Sequence, residues 1–398
     1  MPDLDDSIGH ALGDDEAAKL GDIAAAAGIG RVHFLAWRDL DDPEAGGSEV
    51  HAHEIARRWA RAGIEVGFRT SYAPGLSQVA WRDGYRVIRK AGRYLVFPRA
   101  AISEVMGWHG SRDALVEIWN GMPFFSPIWA RGPRIAFLHH VHAEMWDMTL
   151  GSKLARLGRT LESRIAPPIY RRTRIVTLSN SSKRELVEDL KFRDKRVSVV
   201  EPGIDARFSI GGERDLDPLV VAVGRLVPVK RFHLLVDALV TLKARHPRLR
   251  AVIVGEGYER PDLEARIASH NAETWIELPG RIDDAALIEL YRRAWVLAST
   301  SAREGWGMSI TEAAACGTPA VVTDIAGHRD ALEPGVTGFL GATHDDVATH
   351  LDTLLSDDAL RRTMSEAAAA RAARFTWDAT ARGVLEVLAD EMPRTRSR

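Results

Sequence analysis

The chain has 398 residues, 53 Lys and Arg against 55 Asp and Glu, and a formal net charge of -2. That length sets a prior of two or three domains, and the charge balance argues against a dedicated nucleic-acid binder. The single cysteine, Cys316, excludes an intrachain disulfide and makes a cytoplasmic setting the default. Residues 1–15 lack the basic start and apolar run of a secretory signal, and no apolar stretch reaches bilayer-spanning length.

Residues 1–29 read as a flexible leader, in which 14–27 can form a short Ala-rich helix of weak amphipathicity. From Gly30 the pattern alternates: a strand at 31–37, a helix at 48–62, a strand at 64–68. Further strands are predicted at 134–139, 175–178 and 197–200, then at 218–223, 251–254, 296–299 and 320–323. Helical patterns lie between them, as at 232–244 and 284–293. Such alternation implies parallel sheets covered on both faces. The polar, Gly-containing stretch 205–217 reads as a linker between two Rossmann-like domains, 30–205 and 206–376. A last helix, 377–391, follows the N-cap candidate Thr376.

Several segments carry candidate chemistry. Gly46 and Gly47, followed by Ser48, Glu49 and a helix, form a nest for an anion, although a plain turn with an N-cap explains the same residues. Asn120 opens a loop that fits an acceptor cleft or simple packing. His139, His140 and His142 end a strand. Adjacent strand residues face opposite ways and no carboxylate or cysteine stands at ligand spacing, so a metal cluster is disfavoured. Residues 153–174 are rich in arginine among apolar residues; a solvated helix face is the preferred reading, contact with an anionic membrane the alternative.

In 223–232, Arg225, Lys230 and Arg231 crowd a helix start, where cations oppose the helix dipole. A diphosphate would answer that, whereas a solvated basic loop is the plainer reading; Arg231 is assigned to solvent. Gly255-Glu-Gly-Tyr258 lacks a third spaced glycine and is a weak dinucleotide signal. Most informative are Glu304 and Glu312, on either side of Gly305-Trp306-Gly307 and a helix start that favours an anion. Ser309-Ile-Thr-Glu312 has the form of a capping box, which gives Glu312 a structural explanation. Glu304 has none.

The phrase Ser301 to Pro319, with Glu304, seven residues, then Glu312, resembles the retaining glycosyltransferases of family four, the glycogen-synthase-like branch of the GT-B fold. The resemblance runs over nearly the whole chain from Gly30. It implies two Rossmann-like doubly wound domains facing across a cleft, the last helix crossing back to the first. It implies transfer of a hexose-type sugar from a nucleotide sugar to a hydroxyl acceptor, with retention and without a metal ion or other cofactor. Carried over, Glu304, His142, Arg225 and Lys230 are catalytic. Gly46, Gly47, Gly224, Gly280, Arg281, Gly307, Met308, Ser309 and Glu312 bind the donor. His139, Asn120 and Glu49 face the acceptor. A sugar-nucleotide epimerase, a phosphorylase and a non-catalytic sugar-nucleotide sensor are the alternatives. The identity of the donor sugar and of the acceptor is not written in these motifs.

Overall fold

The computed structural model describes residues 14–42, 45–142, 145–146 and 151–393. Two sheets organise them. The first holds β1 (Arg31–Leu35), β2 (Glu65–Thr70), β3 (Val79–Arg82), β4 (Tyr85–Arg89), β5 (Ala114–Trp119), β6 (Arg134–Leu138), β7 (Arg174–Thr177) and β8 (Val197–Val199). Their order is β3-β4-β2-β1-β5-β6-β7-β8, parallel except for the β3–β4 hairpin. The second holds β9 (Leu219–Val223), β10 (Arg250–Val254), β11 (Ile276–Gly280), β12 (Val296–Ser299), β13 (Ala320–Thr323) and β14 (Gly338–Gly341). Its order is β11-β10-β9-β12-β13-β14, parallel throughout.

In each sheet the winding reverses once, between β1 and β5 and between β9 and β12. Loops leaving the carboxyl ends there turn apart and open a crevice, the usual ligand position in a doubly wound sheet. Side-chain alternation decides what covers each face. On the first sheet, Val32, Phe34 and Val116 meet Ile55 and Trp59 of the helix Gly47–Arg61 and Val384 and Leu388 of the last helix, Trp377–Ala389. The intervening Leu35 and Leu115 face the helix Val96–Val105, and Trp119 and Leu138 face the helix Ala166–Tyr170.

Two expectations need correction. The segment Asp14–Ala27 is a helix, not a flexible leader: Leu20 and Ala24 are buried in the first core, and Arg382 donates to Glu16 at 2.6 Å. Residues 1–13 of that leader lie outside the described residues. Five strands also lay outside the predicted set: β3, β4, β5, β11 and β14. β5 was hidden by Glu117, a fully buried carboxylate that interrupts an apolar run; it accepts from Phe124 N at 2.5 Å and Tyr170 OH at 2.6 Å. The β3–β4 turn is Asp83-Gly84, both at positive φ, the chemistry a tight hairpin demands.

The chain crosses between the sheets twice, side by side. Ile204 bridges Thr376, and a Cβ on Gly203 would stand 2.2 Å from Trp377 N, so only glycine fits. Elsewhere the two halves meet through a shared helix cap. Asp330 of the second half accepts from Asn180 N and Ser181 N, both at 3.1 Å, and from the Ser181 hydroxyl. These open the helix Asn180–Glu188 of the first half. Gly327 N donates to Ser181 Oγ at 2.9 Å, and Arg303 pairs with Glu185 at 3.1 Å.

Candidate active site

The second-half wall is built from the ends of β9 and β12. After β9 the chain passes Gly224 and Arg225 to a short 3-10 turn, Pro228–Lys230. A Cβ on Gly224 would stand 3.1 Å from Lys230 Cε, so the glycine lets the lysine lie across the strand end. Lys230 Nζ donates to Glu304 Oε1, which also accepts from Ser301 Oγ at 2.9 Å. Burial alone would raise the Glu304 carboxyl, but the Lys230 ammonium beside it overrides that and holds it at about 2. Arg225 is exposed and pairs with no carboxylate among the described residues; its Nε would be 3.9 Å from a Cβ on Gly46 across the cleft. Lys230 and Glu304 are thus held together at the switch point before any ligand arrives, with Arg225 exposed beside them.

Arg231 does not belong to solvent. At a left-handed φ of 49°, its guanidinium donates to Thr300 O and Ser301 O, both at 2.9 Å. It ties the Lys230 turn to the strand end that carries Glu304. Sequence spacing alone cannot distinguish such a clamp from a free cation.

The helix Met308–Ala315 starts at Gly307, whose φ of 103° suits glycine. The N–H groups of Met308 and Ser309 therefore lead the first turn, where helix amides lack internal partners. The capping-box reading of Glu312 fails, because Gly307 and not Ser309 is the cap. Glu312 sits a turn further in and accepts from Tyr291 OH at 3.2 Å. Burial pushes its carboxyl up to about 7, with only that one bond opposing and with Asp284 and Asp205 adding like charge. Its structural excuse is gone.

The turns behind this wall are packed to contact. A Cβ on Gly255 would stand 1.9 Å from Gly224 O, and one on Gly257 2.1 Å from Leu226 O, so the glycines after β10 serve packing of the Arg225 loop. Gly280 and Arg281 lie at the end of β11, beyond β10, where Gly280 faces Glu256.

On the first-half wall, Gly46 and Gly47 stand against the second half. A Cβ on Gly47 would be 2.9 Å from Met308 Sδ. Glu49 is not free to reach an acceptor. Its buried carboxylate accepts from Gly46 N at 2.8 Å and Ser48 Oγ at 2.9 Å, and so fixes the glycine turn. Asn120, at the end of β5, donates to Ser48 Oγ at 3.1 Å and joins the same network. Glu44 lies outside the described residues.

The three histidines after β6 divide. His139 turns into the core, stacked on Phe137 and 3.3 Å from His51, and burial lowers it to about 3. Its backbone meets the second half, where a Cβ on Gly305 would stand 2.4 Å from His139 O, while the imidazole is turned toward His51. His140 and His142 stack at 4.7 Å. His142 is fixed by Glu162, which accepts its backbone N–H at 2.8 Å. His140 lies within the field of Glu304 and Lys230, although burial dominates and lowers it to about 3. His140 was weighed only as part of a metal cluster. His328, buried beside Gly307 and donating through Nδ1 to Thr323 O at 2.8 Å, was missed outright. Its signal is purely tertiary.

Two doubly wound halves with facing switch points have the architecture of the GT-B fold. Comparison with known proteins agrees. Residues 45–208 match the family model described as Glycosyltransferase Family 4, and residues 204–371 match Glycosyl transferases group 1. The chain is 34% identical over 385 residues to D-inositol 3-phosphate glycosyltransferase of Frankia alni, covering 86% of this chain and 94% of that one. Its counterpart in Thermobispora bispora is 29% identical, with 89% and 93% covered. Among solved structures, sucrose-phosphate synthase from Thermosynechococcus elongatus superposes with a TM-score of 0.76 at 19% identity over 89% of this chain and 97% of that one. HepE of Anabaena, in complex with UDP and glucose, gives 0.73 at 20% over 90% and 99%. The chain belongs to glycosyltransferase family 4.

Proposed function

We propose that the enzyme transfers a hexose-type sugar from a nucleoside diphosphate sugar to a hydroxyl acceptor, with retention and without a metal ion. The observation that carries this reading is the Lys230–Glu304 pair at the β9/β12 switch point, beside the exposed Arg225 and the open start of the helix Met308–Ala315. In this reading Arg225, Lys230 and the helix amides neutralise the diphosphate as negative charge develops on the leaving group. Glu304, ionised at any working pH, orients donor-sugar hydroxyls and favours positive charge at the anomeric carbon. Glu312 takes the ribose hydroxyls. In the same reading His142 acts near the donor hydroxymethyl group at the reaction centre, and Gly46 and Gly47 close over the phosphates.

The acceptor panel starts from the relatives, which are named for D-inositol 3-phosphate. The test is a mass-spectrometric screen of nucleoside diphosphate sugars against phosphorylated inositols and other hydroxyl acceptors, with and without chelator. Retained anomeric configuration in a chelator-resistant product is expected. Binding without turnover would leave a sensor, an altered nucleotide sugar in the absence of acceptor an epimerase, and loss of activity in chelator would overturn the charge assignment.

A further inference from the structure

One face of the first half is apolar and cationic at once. The helix Val96–Val105 turns Val96, Phe97 and Ala100 onto the sheet. On its outer side and flanks Leu95, Ile102, Val105, Met106 and Trp108 are each more than half exposed. Scattered single apolar side chains are ordinary on a soluble surface; five on one helix and its ends form a patch that marks a contact. The same face of the sheet continues through the short helix Ser126–Trp129, with Ile128 69% exposed, to the helix Ala166–Tyr170 over Trp119 and Leu138. The helix Ser152–Thr160 and the wider turn Leu161–Ile165 lead into the latter and expose Leu154, Leu157 and Ile165.

Among the described residues of 90–112, 126–134 and 152–174, the exposed charge has one sign. In 90–112, 126–134 and 152–174 the only carboxylates are Glu104 and Glu162. Both are withdrawn from the surface: Glu104 is paired with His33, Arg69 and Arg112, and Glu162 lies under His142 and Trp146. The outward charges include Lys90, Arg99, Arg131, Lys153, Arg156 and Arg164. Apolar side chains ringed by cations suit a surface that is anionic outside and apolar beneath. A second copy of the same face would bring like charges together, and nucleic acid would leave the apolar residues in water.

We propose that this face docks on an anionic lipid bilayer, with the cations at the headgroups and Leu95, Ile102, Met106, Leu154 and Leu157 in the interface below them. Tyr94 and Trp108, both more than half exposed, are amphipathic rings of the kind enriched at that depth. The contact is peripheral, since among the described residues no helix is long and apolar enough to cross a membrane. The 152–165 segment is held to the His142 strand end by Glu162. Docking therefore brings the rim of the cleft to the lipid surface. The solvated-face preference drawn from 153–174 alone changes once Val96–Val105 is seen on the same side.

The inference is independent of the transfer chemistry. Its test is co-sedimentation of the full chain with phosphatidylglycerol–phosphatidylcholine vesicles and with pure phosphatidylcholine vesicles. Binding to the anionic vesicles and release by salt are expected. The pairs Ile102→Glu/Met106→Glu and Arg156→Glu/Arg164→Glu should each weaken partition about tenfold or more. Leu216→Glu, at a linker side chain 91% exposed, should not. Circular dichroism melts report that the variants fold. Absence of binding, or folded variants that bind as the parent does, overturns the proposal. So does a homodimer that Ile102→Glu/Met106→Glu dissociates in a chain that ignores vesicles.

Discussion

At the switch point of the second sheet the cleft wall carries charge; at that of the first it carries bare backbone. Lys230 and Glu304 stand paired on one side, supported by Arg231 and Ser301, with Arg225 exposed beside them. Opposite them, Gly46 and Gly47 present no side chain, and the nearby polar groups are spent on one another: Glu49 on the glycine turn, Asn120 on Ser48, His139 on His51. One wall is organised for electrostatics, the other for close approach. The difference shows how the same crevice can be specialised twice. Charge must be positioned before reaction to contribute to it, whereas backbone need only be brought near.

The largest effect should come from the charged wall. Glu304→Ala and Lys230→Ala should each lower kcat by about 10²–10³, read in a donor-saturated assay with circular dichroism as the folding control. Glu49→Gln keeps the shape of the opposite wall and should lower it by no more than about tenfold. Equal losses on the two sides would break the comparison. Next is the shared cap: Asp330→Ala should cost about 1–2 kcal/mol by denaturant unfolding, since it frees two helix amides and a hydroxyl at once. Gly47→Val should then reduce kcat/KM by about tenfold with little change in melting temperature. It loads the bare wall with a side chain whose Cβ would stand 2.9 Å from Met308 Sδ, so the flexible Met308 side chain must give way.

The smallest effect separates the two carboxylates. The Glu304 carboxyl is depressed from 4.5 to about 2, so the stability it adds is complete above 4.5 and is lost as pH falls through about 2. Glu312 is raised from 4.5 to about 7, so charging it costs stability as pH climbs between those values. Glu312→Gln should flatten that part of the melting-temperature profile between pH 5 and 8. If ribose hydroxyls donate to ionised Glu312, nucleotide should bind several-fold tighter at pH 8 than at pH 6 and release protons near pH 7. Calorimetry in two buffers of different ionisation enthalpy measures both. A pH-independent affinity would remove Glu312 from the nucleotide site.

The charged wall was largely legible because its information is local. Strands such as Leu219–Val223 are unbroken apolar runs, and the cations and glycines that follow them have fixed spacing. Arg231 shows where that legibility ends: its partners, Thr300 and Ser301, lie about seventy positions on. The first half was harder to read for the same reason. β5 looks broken until Tyr170 and the Phe124 amide are there to bond Glu117 Oε1. The helix Asp14–Ala27 looks idle until the other end of the chain arrives to cover Leu20. His139 and His140 lie just beyond the end of β6, and what each one faces is set by distant residues, His51 for the first and Glu304 for the second.

The Asp330 cap has a consequence for motion. The first amides of a helix have no partner inside it, and those of Asn180 and Ser181 find theirs in a carboxylate belonging to the other half. Their protection against solvent deuterium therefore lasts only while the halves touch. Ser182, whose amide is held by Ser179 of its own half, supplies the internal reference. Exchange at three successive residues thus compares the strength of the contact between the halves with the local stability of one helix start.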